Sequence, residues 1–377
     1  MLKQNSNLAS ARLGGLVWAI WIGVIVVPFL GLVKTGYLVL AIFVLSVLRF
    51  AKFTFIKSTI VKIRRFKIPK INPIILSIIG ILLLLIVPMF FNKYFQDVLV
   101  VCGIYILLSL GINIVVGLAG LLVLGYIAFY AIGAYTYALL SIHFHIPFCL
   151  CFPISGALAT IFGILVGLPA LRLRGDYLAI VTLGFGEITR IVLNNWDELT
   201  CGPNGILGIA RPSFFGFKFT APIHYYYLVL CFLVLGIFIF NRLNNSRIGR
   251  AWVAIKEDEL AASTMGINIV KLKLLAFAIS AAFAGVGGAV FASKMTHVSP
   301  ESFTFLESAL VLCMIVLGGM GSVRGAIIGA ACLIIVPEFF REFGNLRMLL
   351  FGVAMILMMR FKPDGLLPYK RKRLGSE

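Results

Sequence analysis

Residues 241–273 read NRLNNSRIGRAWVAIKEDELAASTMGINIVKLK, and the rest of the chain is best read outward from this stretch. It holds six basic residues (Arg242, Arg247, Arg250, Lys256, Lys271 and Lys273) and the acidic run Glu257, Asp258 and Glu259. Long apolar runs lie on both sides of it. The stretch is polar, yet it is built to fold. Ser246 or Asn245 is placed to cap a short helix, and Ile248, Ala251, Trp252 and Ile255 recur at helical spacing to give it one apolar face. Gly266, a few residues after Ala261 and Ala262, suits the end of a second helical piece, because glycine takes a positive φ without a Cβ penalty. One reading is a solvated loop carrying membrane-surface charges. The other is an amphipathic element between spans that docks a soluble partner.

Composition settles the solvent. The chain has 377 residues, of which 61% are hydrophobic and 12% charged, and its mean hydropathy is +1.06. A water-soluble domain has no use for that much apolar surface, so the bilayer surrounds most of this chain. The apolar runs are long and continuous, which points to helices and away from the short alternating strands of a membrane barrel. The expected fold class is an all-α polytopic membrane protein.

The net charge of +19 does not indicate nucleic acid as a partner, because of where it sits. With the spans below, 25 of the 33 Lys and Arg fall on one face of the membrane. They lie near the N-terminus, between 49 and 70, at 172 and 174, in 241–273, at 324 and from 360 to 373. The positive-inside rule puts those loops and both termini in the cytoplasm.

The expected spans are 14–33, 37–48, 74–91, 98–117, 120–140, 147–169, 176–194, 225–240, 274–291, 303–317, 326–336 and 348–359. The composition of 176–194 and of the pair of segments around Gly321 also fits partial or re-entrant helices, so the expected number of crossings is about ten to twelve. It divides into an accessory N-terminal helix pair with a basic cytosolic loop (1–70), a first part of the core (71–240), the cytosolic loop 241–273, and a second part of the core with a basic tail (274–377). Ala281, Gly285 and Ala289 recur every four residues, a seam for close helix packing in lipid.

The segment 176–194 is the least lipid-like. It contains Asp176, Thr182, Glu187 and Arg190, and the last two lie three apart, so they can pair on one helical face. Such a pair is either structural or part of a polar pathway. Glu307 lies near the external end of 303–317. An external loop carries Gly202, Pro203, Asn204 and Gly205, strong turn chemistry. The seven cysteines include no C-x-x-C pair and read as packing residues, with Cys201 facing an external loop. His143 and His145 suit a span end better than a metal site, and no metal is expected.

The chain lacks G-x-x-x-x-G-K-[ST], H-E-x-x-H and G-x-S-x-G, and neither Gly184-Phe-Gly186 nor Gly319-Met-Gly321 is a nucleotide fingerprint. It offers no enzyme site, so a transporter of this kind draws its energy from an ion gradient or a partner.

Four blocks carry a resemblance. They are GLAGLLVLGYIAFYAIGAY (117–135), LRLRGDYLAIVTLGFGEITRIVLNNW (171–196) with the GPNGI turn, SRIGRAWVAIKEDELAASTMGIN (246–268) and LGGMGSVRGAIIGA (317–330). In this order they resemble the LivM-type permease of bacterial branched-chain amino acid ABC importers, from about residue 99 to 368. The resemblance implies an inner-membrane permease that forms the translocation path with a second permease subunit. It also implies two cytosolic ABC ATPase subunits, which hydrolyse the ATP, and a periplasmic amino-acid-binding protein. No cofactor is bound by this chain. The ATPase-coupling element would be Arg247, Arg250, Trp252, Glu257, Asp258, Glu259, Ala261, Ala262 and Gly266. The general importer signature is Glu-Ala-Ala-x3-Gly; here Leu260 stands at the Glu position and Glu259 one residue earlier. The first block also departs, with Leu-Leu-Val-Leu-Gly-Tyr in place of a more polar run. Asp176, Thr182, Glu187, Arg190 and Glu307 are the path candidates. The rivals are a related permease for urea or amides, and an ion-coupled transporter using Asp176, Glu187 and Glu307.

Overall fold

The computed structural model describes residues 92–339 except 171–172, 174 and 215–216, together with isolated positions on either side. The accessory pair in 1–70 and the basic tail lie outside the described residues, as do nearly all of the spans 74–91 and 348–359.

In chain order, α1 (Lys93–Ile112) runs into a π-helical turn (Asn113–Leu118) and is followed by α2 (Ile127–His143), α3 (Phe148–Ala170) and α4 (Asp176–Asn195). The short α5 (Asp197–Thr200), a 3-10 turn (Gly202–Asn204) and the strands β1 (Ile206–Leu207), β2 (Ser213–Phe214) and β3 (Phe217–Lys218) form the next loop. Then come α6 (Pro222–Asn244), α7 (Arg247–Glu257), α8 (Glu259–Thr264) and α9 (Ile269–Met295). Strand β4 (His297–Val298), a 3-10 turn (Pro300–Ser302), α10 (Phe305–Gly318) and α11 (Val323–Phe339) complete the described chain. Among the described residues five segments are long and apolar enough to cross a bilayer: Lys93–Leu118, Phe148–Pro169, Pro222–Asn244, Ile269–Met295 and Pro300–Gly318. The protein is a multi-pass all-α membrane protein.

Helix α9 is the axis of the bundle, packed chiefly between α2 and α3 and against α1. Small residues make this possible. A Cβ on Gly133 of α2 would collide with the Gly285 backbone, and one on Gly285 would collide with Ala159 and the Ser155 carbonyl. Ala281 and Ala289 are fully buried, so the four-residue seam packs as its spacing predicts. In lipid, where no hydrophobic effect drives helices together, such close backbone approach supplies the dispersion energy.

The span expected over 120–140 is corrected. Residues 119–126 are not helical, and α2 starts only at Ile127. Gly120 turns the chain with φ +73°, and Gly125 passes so close to the Thr182 carbonyl that a side chain there is excluded. The non-helical segment meets its backbone needs inside the protein. The Leu121 amide donates to the Val115 carbonyl at 3.0 Å, that of Leu124 to Thr182 Oγ1 at 3.1 Å and that of Ile127 to Ser308 Oγ at 2.9 Å. Irregular backbone survives at membrane depth only when shielded in this way.

The helices on either side of the polar stretch extend past their expected spans. α6 reaches Asn244 and α9 begins at Ile269, which shortens the loop between them to 245–268.

Candidate functional site

The polar stretch between α6 and α9 folds as two helices. Ser246 caps α7, its Oγ accepting from the Gly249 amide at 3.2 Å. Asn245, the other capping candidate, instead offers its carbonyl to Arg250 Nη1 at 3.2 Å. On the apolar face Trp252 and Ile255 are buried, with Ile248 and Ala251 half-buried beside them. Trp252 Nε1 donates to the Leu272 carbonyl at 2.7 Å, which fixes α7 to the base of α9. This satisfies a polar group that burial would otherwise leave unpaired.

The acidic run divides its work. Asp258 caps α8, its Oδ1 accepting from the amides of Leu260 and Ala261 at 2.9 and 3.0 Å. Glu259 turns inward to Lys273 at 2.8 Å, where the lysine is only 5% exposed. Glu257 stays exposed. Ala262 is buried, and Gly266 ends the element at φ +79°. The outer surface presents Arg247, Arg250, Glu257 and Ala261 with Leu260 (68% exposed) and Met265 (82% exposed). It is a mixed charged and apolar face on a fixed frame. Lys256 and Lys273 counted only as charges in the sequence. Their specific partners come from residues more than ten positions away, which no local pattern reveals.

The path candidates do not form one cluster. Asp176 sits exposed in the first turn of α4, where the helix dipole favours a carboxylate. Thr182 is buried and links α4 to the non-helical segment through Leu124. Glu187 and Arg190 form the i,i+3 pair at 2.9 Å, each about one-third exposed. Glu307 lies in the first turn of α10 and accepts from the Tyr105 hydroxyl at 2.6 Å. Among the described residues no hydrogen bond or ion pair joins Glu307 to the Glu187–Arg190 pair. Tyr105 and Ser308 were missed by sequence reasoning, since a tyrosine or serine in an apolar helix is ordinary until its partner is known.

The Gly202–Gly205 turn is stitched to the loop after α9. Ile206 pairs with Val298 and Leu207 with His297 in an antiparallel ribbon, and the His297 ring lies 3.3 Å from the Asn204 carbonyl. Gly205, at φ +67°, lies against the Val298 backbone. Pro203 and Asn204 are exposed and Gly202 is buried. All seven cysteines are free, and among the described residues no group of three or more His, Cys, Asp or Glu could hold a metal.

A multi-pass helical bundle with a folded, charged element between two spans has the features of a transport permease. The chain belongs to the family described as "Branched-chain amino acid transport system / permease component", which matches residues 94–359. It is 48% identical over 310 residues to the high-affinity branched-chain amino acid transport system permease protein LivM of Escherichia coli (strain K12), covering 76% of this chain and 73% of that protein. It is 28% identical over 235 residues to a probable branched-chain amino acid transport permease protein LivM of Methanocaldococcus jannaschii (56% and 67%). It is also 28% identical over 181 residues to the autoinducer 2 import system permease protein LsrC of Klebsiella pneumoniae (46% and 50%). No solved structure matches the chain.

Proposed function

We propose that this chain is a permease subunit of an ATP-driven importer for leucine, isoleucine and valine in a bacterial inner membrane, with both termini cytoplasmic. It forms the path with a second permease subunit, and two ABC ATPases bind below. A periplasmic amino-acid-binding protein delivers cargo from above, against the outer surface that includes Pro203 and Asn204. The chain itself binds no cofactor and catalyses no reaction; ATP is hydrolysed by the partners.

The observation that carries the reading is the α7–α8 element. Its inner face is tied to α9 through Trp252 and Glu259. Leu260 and Met265 of this element are exposed, as are Arg247 and Arg250, the composition of a protein-docking surface. Glu259 is occupied with Lys273, so of the acidic run Glu257 is the residue left to meet the ATPase. The likeness to LivM of Escherichia coli supports the cargo. The polar residues of α4 and Glu307 line the path in this reading.

The test is leucine uptake by membrane vesicles carrying the complete transporter. Uptake that needs ATP, persists with a protonophore and is inhibited by isoleucine and valine supports the proposal. Uptake by this chain alone, abolished by the protonophore, would move the account to Asp176, Glu187 and Glu307 as ion-coupling groups. Competition by urea or short amides in place of valine would change the cargo.

A further inference from the structure

Besides the Trp252 bond to α9, the side of α7 opposite Arg247 makes a second polar contact with the membrane bundle. Lys256 Nζ donates to the Gly117 carbonyl at 2.9 Å, and its stem lies against Gly120. Partial desolvation there lowers the lysine pKa from its usual value. Gly117 belongs to the π-helical turn Asn113–Leu118, which ends α1 with the wide spacing seen in the 3.1 Å bond from the Ala119 amide to the Ile114 carbonyl. Such turns interrupt the α-helical ladder and concentrate where helices must bend or carry function.

The first residue of the turn is clamped to a different element. Asn113 is fully buried; its Oδ1 accepts from the Gly321 amide at 2.7 Å, and its Nδ2 donates to the Ser322 carbonyl at 3.2 Å. Gly321 and Ser322 form the turn between α10 and α11. The far end of the π-helical turn leads directly into the non-helical segment. That segment is bonded through Leu124 to Thr182 of α4, and Ile127, which follows it as the first residue of α2, is bonded to Ser308 of α10. A continuous set of bonds therefore runs from the docking element to both helices that carry the path candidates.

We infer that Lys256 and Asn113 are positioning residues of the transport cycle. Lys256 passes displacement of α7–α8 to the π-helical turn, which acts as the hinge. Asn113 holds the start of that hinge against the α10–α11 turn, so the displacement is delivered to α4 and α10. The inference rests on the coupling role given to α7–α8 above. A static tether at Lys256 would instead affect only how firmly the loop is held.

The experiment uses the complete transporter in proteoliposomes and reads three quantities: ATPase subunits retained on purification, ATP hydrolysed, and leucine moved per ATP. Lys256→Met keeps the aliphatic stem and removes the ammonium. It should retain the ATPases and their hydrolysis while leucine moved per ATP falls about ten-fold. Lys256→Arg, which keeps a donor, should recover most of the loss. Asn113→Leu should reproduce the uncoupling from the other end of the turn. Wild-type transport per ATP in Lys256→Met overturns the inference. So does release of the ATPases by Lys256→Met, because that places the lysine in the docking surface. The coupling role of α7–α8 fails separately, if Trp252→Ala and Gly266→Pro keep their ATPases and transport normally.

Discussion

Helices α9 and α4 are both long enough to enter the membrane, and the protein uses them in opposite ways. Small residues of α9 pack out of reach of solvent: Ala276, Ala281, Ala284, Ala289 and Ala292 are fully buried, and Leu272 and Lys273 in its first turns hold the α7–α8 element. α4 buries little beyond Leu178, Ala179, Thr182 and Gly186. It leaves Tyr177, Ile180, Ile188 and Ile191 more than half exposed and keeps its ion pair partly open. One helix is a scaffold that cannot shift without breaking many contacts. The other is held by fewer contacts and a threonine hydroxyl, which suits the path-lining role proposed for it above.

Four substitutions sharpen that contrast, taken from the largest expected effect downward. Trp252→Ala empties a fully buried site at the base of α9 and removes the indole bond to the Leu272 carbonyl; it should cost about 3–5 kcal/mol, seen as an early thermal transition of the detergent-solubilised chain. Gly285→Leu in the seam should cost about 3 kcal/mol by overpacking and lower the yield of monodisperse protein. Lys273→Met leaves Glu259 without its partner. Glu259 remains about 29% exposed, so the loss is smaller, about 1–2 kcal/mol, with faster proteolysis of the 245–268 loop as its readout. Glu187→Gln on α4 should change stability by less than about 1 kcal/mol, because the pair is one-third exposed, and yet reduce leucine uptake. A Glu187→Gln variant as destabilised as Gly285→Leu would erase the distinction between scaffold and path.

Much of this was legible in the chain itself. Ser246, Trp252 and Gly266 mark the two helices of the polar stretch because capping, helical periodicity and positive φ are local rules. The Ala281–Gly285–Ala289 seam is likewise a fixed spacing on one helix face. The break at 119–126 was not legible. Its residues, AGLLVLGY, are apolar enough to pass for helix, and their conformation is decided by Thr182 and Ser308, which lie more than fifty residues away in sequence. The inward turn of Glu259 escaped for the same reason. A run of three acids gives no sign of which one faces a buried lysine at the start of the next helix.

The most direct test of the account is to tag this chain, extract it in mild detergent and identify what remains bound. The wild-type chain should retain a second multispanning protein and a P-loop ATPase. Glu187→Gln should keep both. Trp252→Ala and Gly266→Pro should lose the ATPase alone, the latter because proline cannot adopt the φ of +79° at that position. Retention of the ATPase by both loop variants, or a wild-type chain that purifies alone and still transports, would contradict the role assigned to α7–α8.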